Sequence, residues 1–117
     1  MSVDKYLDKK YNLKNYNCVH FACDVYFSET GKNIHEIFYG LLLSKADRFV
    51  NMSSLKKMKK HKAPVSPCIV LFQARKCEPH VGVFIRGRVL HITPEGVKFE
   101  ELSQAGYFFT KASFYSC

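Results

Sequence analysis

The chain predicts an α+β domain in which N-terminal helices pack on a small antiparallel sheet. Two observations carry this. Through the first half, apolar residues recur at helical spacing: Cys18, Phe21, Ala22 and Val25, then Ile34, Ile37, Phe38, Leu41 and Leu42. From Cys68 onward they change to short β-branched runs separated by turn residues. Helices first and hairpin-linked strands second is the order of a segregated α+β architecture.

At 117 residues the chain has the size of one domain with one core. A hydrophobic fraction of 47%, with 10 Phe and 7 Tyr, suits a packed interior and excludes a disordered chain. The longest apolar runs, such as Leu41-Leu42-Leu43, last only a few residues, so no membrane span is expected. Asp4 and Lys5 stand where a signal peptide has its apolar centre, and none is expected. The five cysteines, Cys18, Cys23, Cys68, Cys77 and Cys117, are odd in number and form no C-x-x-C pair. That argues against a disulfide framework or zinc ribbon and fits a reducing compartment.

Element by element, Val3 to Tyr11 reads as a short helix around Tyr6 and Leu7, and Asn12 to Asn17 as a loop. A helix follows from about Asn17 to Glu29, with Val19 and Tyr26 widening its apolar face and Gly31 as its stop. Asn33 and Glu36 resemble a capping box that opens a second helix to about Ser44. Met52, Leu55 and Met58 suggest a weaker third helix that fades into the lysine run, and Pro64 and Pro67 close the helical half. Cys68 to Gln73 reads as a buried strand. His80 to Ile85 and Val89 to Thr93 flank Arg86-Gly87-Arg88 as a tight hairpin. Pro94-Glu95-Gly96 turns into Val97-Lys98-Phe99, and Tyr107 to Tyr115 is a last strand, with Phe108, Phe109, Phe114 and Tyr115 read as its core.

Chemistry gathers at two points. Cys18 opens the first helix, where unpaired N–H groups and the positive end of the dipole favour thiolate. A packed core thiol would suit the same position. On the hairpin, alternation puts His80, Gly82 and Phe84 on one face and Val89, His91 and Thr93 on one face of the return strand. A two-residue Arg86-Gly87 loop would pair Ile85 with Arg88 and bring His80 and His91 together diagonally on the same side. A nucleophilic cysteine needs an imidazole to carry its proton and a polar group to orient that imidazole. His80 suits the first role and His91 the second, Gly82 between them leaves room for substrate, and the Cys18 N–H suits an oxyanion donor. The same residue types ligate zinc, but local ligand spacing is lacking, so no metal and no cofactor is expected.

Tyr16-Asn17-Cys18 opening a helix, and His80-Val81-Gly82-Val83-Phe84-Ile85 turning through Arg86-Gly87 to Arg88-Val89-Leu90-His91, resemble the NlpC-type cysteine peptidases of the papain-like superfamily. Those domains have a cysteine at a helix N-terminus, an H-V-G-hydrophobic strand, and a second polar residue, often His, on the next strand. The resemblance spans roughly Tyr16 to Ile92. It implies a papain-like NlpC-type domain over residues 1–117, with Cys18 as nucleophile, His80 as general base, His91 as the third member of a Cys-His-His triad, and the Tyr16 hydroxyl lining the site. It further implies cleavage of peptidoglycan stem peptides at a γ-D-glutamyl bond to a diamino acid. Small members of this kind are carried with phage tails and aid wall penetration, which implies a virion location, or the bacterial cytoplasm before assembly, and other tail proteins as partners. Three positions depart from the family pattern. Asn17 replaces the usual Asp, which would keep the geometry without the charge that reads a substrate amine; Val19 replaces Ser; and Cys68 stands where a Gly-Asp turn is common.

Two other functions stand beside this one. One is a non-catalytic structural or assembly component of a phage tail that retains the fold. The other is a nucleic-acid binder, because the formal charge is +8 and seven of the 18 basic residues fall between Lys45 and Lys62. The densest run, Lys56 to Lys62, reads either as a solvated face or as a surface for an anionic polymer.

Overall fold

The computed structural model describes residues 3–12, 16–35, 58–75 and 79–117. Helix α1 (Cys18–Thr30) is followed by strands β1 (Lys59–His61), β2 (Cys68–Gln73), β3 (His80–Ile85), β4 (Arg88–Thr93) and β5 (Gly96–Glu100), a one-turn helix α2 (Leu102–Ala105), and β6 (Lys111–Ser116). The strands form one antiparallel sheet in the order β1-β6-β2-β3-β4-β5. The protein is therefore an α+β domain.

Helix α1 is fixed at both ends by local chemistry. The Asn17 side chain accepts the Val19 and His20 N–H groups, and His20 Nδ1 accepts the Asn17 N–H at 3.1 Å. This is a reciprocal cap with an imidazole in the place usually held by Glu or Gln. Gly31, at φ 77°, ends the helix in the left-handed region that glycine tolerates. Between these ends Cys18, Val19, Phe21, Ala22, Cys23, Val25 and Tyr26 are all buried, a wider stripe than the spacing alone suggested, because Cys23 is included.

Period-two alternation splits the sheet into two packed faces. Ile69, Leu71, Val81, Val83, Ile85, Leu90 and Ile92 pack with α1, Tyr6 and Ile34. Cys68, Val70, Phe72, Val89 and Phe114 pack on the other side with Ala105, Leu102 and Phe109. The central strand β2 is buried on both faces, which explains its continuous apolar run.

Some sequence expectations need correction. Val3 to Tyr11 holds only a single 3₁₀ turn, Asp4–Tyr6. Lys59–His61, expected at the end of a helix, is an edge strand paired with β6. The last strand starts at Lys111 rather than Tyr107. Gln104 Oε1 accepts the Glu101 N–H at 3.3 Å and closes the start of α2, and Phe108 is 82% exposed instead of core. The helix expected after Asn33 lies, beyond His35, outside the described residues; there Asn33 Oδ1 accepts the His35 N–H at 3.0 Å. Most of the third expected helix, including Met52 and Leu55, lies outside them too, as do Lys56, Lys57 and Cys77.

Candidate active site

The β3–β4 hairpin is built by its turn. Arg86 (φ 52°) and Gly87 (φ 81°) both have positive φ, the requirement of the two-residue turn whose twist matches the strands. Ile85 pairs with Arg88 and Val83 with Leu90, so the register is the one the X-Gly loop predicts. His80 and His91 consequently meet, with His80 Nε2 lying 2.8 Å from His91 Nδ1.

Gly82 permits that closeness. A Cβ there would stand 2.7 Å from Val89 Cγ1 and 3.2 Å from His91 Cβ. The space above Gly82 is filled by these two side chains, so the bare α-carbon serves the approach of β4 to β3.

A further residue joins the pair. His91 Nε2 lies 2.9 Å from Glu100 Oε1. The register explains it: Val89 pairs with Glu100 and His91 with Lys98, so Glu100 is the diagonal neighbour of His91 on the same face. Lys98 is drawn toward the turn by Glu95, at 3.1 Å. The β4–β5 turn carried the signal for Glu100: a register with Thr93 opposite Gly96 puts it beside His91.

His80 belongs to a cluster of three rings, with the Phe72 and Phe109 centroids each 6.0 Å from its own and 5.6 Å from one another. The same two rings help line a cleft of about 210 Å³, together with Leu102, Gly106 and Lys111. Burial, and then the neighbouring His91, push the His80 pKa down to about 4. Burial also lowers the pKa of His91, which is 4% exposed, while its hydrogen bond to Glu100 acts in the opposite direction.

Cys18 reaches this region from the other side of the sheet. His80 pairs with Phe72 across β2 and so belongs to the face opposite α1. The Cys18 sulfur instead meets the N–H of Val81, the next residue along β3, and those of Cys18 and Val19 at the helix end. These donors favour thiolate, but burial outweighs them and pushes the thiol up to about 11. Among the described residues no hydrogen bond joins the sulfur to His80. The resting arrangement is thus a neutral thiol and a neutral imidazole around the first residues of β3.

The two flanking site residues have structural partners. Asn17 Oδ1 is engaged by the helix cap and accepts the Val19 N–H at 3.0 Å, an N–H that also faces the Cys18 sulfur, so the Cys18 N–H is the one of the pair that the cap does not use. The Tyr16 hydroxyl donates to Asp24 Oδ2 at 2.9 Å, and Asp24 Oδ1 also contacts His35 Nε2 at 3.0 Å. Burial, and then the Asp24 carboxylate, keep the Tyr16 phenol well above its usual range.

Among the described residues, no group of three His, Cys, Asp or Glu has the geometry to hold a metal ion, and His80 Nε2 and His91 Nδ1 point at one another. No helix among them is long and apolar enough to cross a membrane. No family model matches the chain, and no curated protein matches it either.

Proposed function

We propose that the protein is a cysteine hydrolase of peptide bonds in peptidoglycan stem peptides, with Cys18 as nucleophile, His80 as general base and His91 as its orienting partner. The observation that carries the reading is the 2.8 Å hydrogen bond between His80 and His91, one residue along β3 from the N–H that meets the Cys18 sulfur. At rest the two groups lie on opposite faces of the sheet, so this mechanism requires the helix mouth and the start of β3 to bring the Cys18 sulfur to His80 first. The thiol then attacks the substrate carbonyl as its proton passes to His80, and the Cys18 N–H supports the oxyanion. His80 then protonates the leaving amine, and water hydrolyses the thioester with the same imidazole as base.

The γ-D-glutamyl bond, the papain-like NlpC-type assignment and the association with a phage tail rest on the resemblance of the Tyr16–Cys18 and His80–His91 motifs. Incubation with purified sacculi is expected to release peptides identifiable by mass, and Cys18→Ala to release none. Release by the variant, or none by the unsubstituted protein, overturns the proposal.

A second reading is a tail or wall-associated component that retains the fold without turnover. The burial of the Cys18 thiol and its raised pKa favour it. It predicts that the folded protein releases nothing from sacculi yet binds a defined protein partner.

A further inference from the structure

The geometry points to Glu100 as the positioning residue that fixes the tautomers of both imidazoles and leaves His80 Nδ1 as the bare, proton-accepting nitrogen. The role assigned to His80 Nδ1 rests on the cysteine-hydrolase reading; the tautomer assignment itself does not.

The argument is a proton count along a chain of three groups. His91 Nε2 lies 2.9 Å from Glu100 Oε1, and a carboxylate accepts only. His91 Nε2 therefore carries a hydrogen. A neutral imidazole has one N–H, so His91 Nδ1 is bare and accepts. Its partner at 2.8 Å is His80 Nε2, which must then donate. That uses the single N–H of a neutral His80, and Nδ1 is left with its lone pair. Remove the carboxylate and nothing sets the direction. The inter-imidazole bond can then reverse, with His91 Nδ1 donating and the His80 proton moved to Nδ1, where it blocks proton transfer from a thiol.

Both rings need to be neutral for this count, and their surroundings keep them so. His80 packs against the Phe72 and Phe109 rings, and His91 is 4% exposed. Among the described residues, the charged or titratable groups facing the pair are Glu100 and Lys98 from β5 and each ring's own partner; α2, which also packs on β4, contributes Leu102, Ser103, Gln104 and Ala105. Lys98, directly across from His91, disfavours a second positive charge there. When His80 accepts a proton at Nδ1 it becomes an imidazolium that still donates from Nε2 to His91, and the Glu100 charge at the far end of the chain stabilises it.

The test reads the ring nitrogens directly. Nitrogen-15 NMR of the full chain at neutral pH is expected to show the Nε2–H form at both His80 and His91. In Glu100→Ala, His91 should lose its single tautomer and His80 Nδ1 should gain a proton share, with the thermal melt still cooperative. In the sacculus assay kcat should fall about 10–100-fold, the range seen when an outer partner of an oriented imidazole is removed, with KM little changed. Should Glu100→Ala fail to fold, the isosteric Glu100→Gln replaces the accept-only group by an amide that can donate or accept, so both rings should show mixed tautomers while the pair titrates at lower pH for want of the negative charge. An Nδ1–H at His80 in the unsubstituted protein, unchanged tautomers in Glu100→Ala, or an unmoved titration in Glu100→Gln each overturns the inference. Tautomers that respond as stated in a protein that releases nothing from sacculi would sink the hydrolase reading and leave the role of Glu100 standing.

Discussion

At Cys18 two effects oppose one another. Three N–H groups favour the thiolate, burial favours the thiol, and burial wins, leaving a pKa of about 11. A histidine pushed down to about 4 is no stronger as a resting proton acceptor. In the proposed chemistry the proton must therefore move while the carbon–sulfur bond forms, and not before. The labelling order follows. Cys117 is exposed, whereas Cys18, Cys23 and Cys68 are buried. Iodoacetamide at neutral pH is expected to modify Cys117 ahead of Cys18, Cys23 and Cys68, which should react roughly tenfold or more slowly, as read from digest masses. Labelling of Cys18 ahead of Cys117 would mean that the resting site is already an ion pair. At this scale the two histidines were legible because both lie on one hairpin with a two-residue turn. Glu100 was not, since a glutamate at a strand end carries no motif and its place depends on the register of a second turn.

Among the elements, the hairpin fixes the site geometry, and Gly82 is its tightest point. With a Cβ 2.7 Å from Val89 Cγ1, Gly82→Ala must push β4 from β3 or rotate Val89 in a packed layer. A loss of about 1–3 kcal/mol is expected, measured by urea unfolding. The His80–His91 bond should lengthen with it, so that the two rings titrate more independently. An unchanged unfolding midpoint would show that the layer yields freely there. Helix α1, β2 and this hairpin were readable because their signals are local: a cap, a periodic stripe, an X-Gly turn. The misread elements depend on distant partners. Lys59–His61 becomes a strand by pairing with Phe114, Tyr115 and Ser116, more than fifty residues on, and nothing near it announces that pairing. Its two exposed lysines suit an edge, where charge deters another chain from adding, which gives part of the basic run a structural reason. At Tyr107–Phe109 the aromatic composition suggested a strand, but the Glu101–Gln104 cap and Gly106 commit the chain to a turn first.

For the whole molecule, buried titratable groups set a window of stability. His80 falls from its ordinary 6.5 to about 4 in the folded state. The unfolded chain therefore binds more protons between those values, and stability is lost as pH falls from about 6.5 toward 4, by on the order of 3 kcal/mol. His91 acts in the same direction. Cys18 and Cys23 shift upward from 9.0, to about 11 and about 12. The unfolded chain loses these protons first, so stability also declines as pH rises above about 9. Urea midpoints measured across pH should form a plateau between these limits, and His80→Gln should flatten the acid side. An acid side unchanged in that variant would assign the loss to other groups.

The sheet order carries a consequence for how the chain is made. β6, the last strand in the chain, lies between β1 and β2 and is hydrogen-bonded to both. Until residues 111–116 have left the ribosome, β1 has no neighbour in the sheet, and one side of β2 offers the open backbone of Ile69, Val70, Leu71 and Phe72 to any passing strand. The hairpin that holds both histidines is complete well before that. During synthesis the His80–His91 hairpin precedes β6, so the open edge of β2 waits for residues 111–116 to cover it.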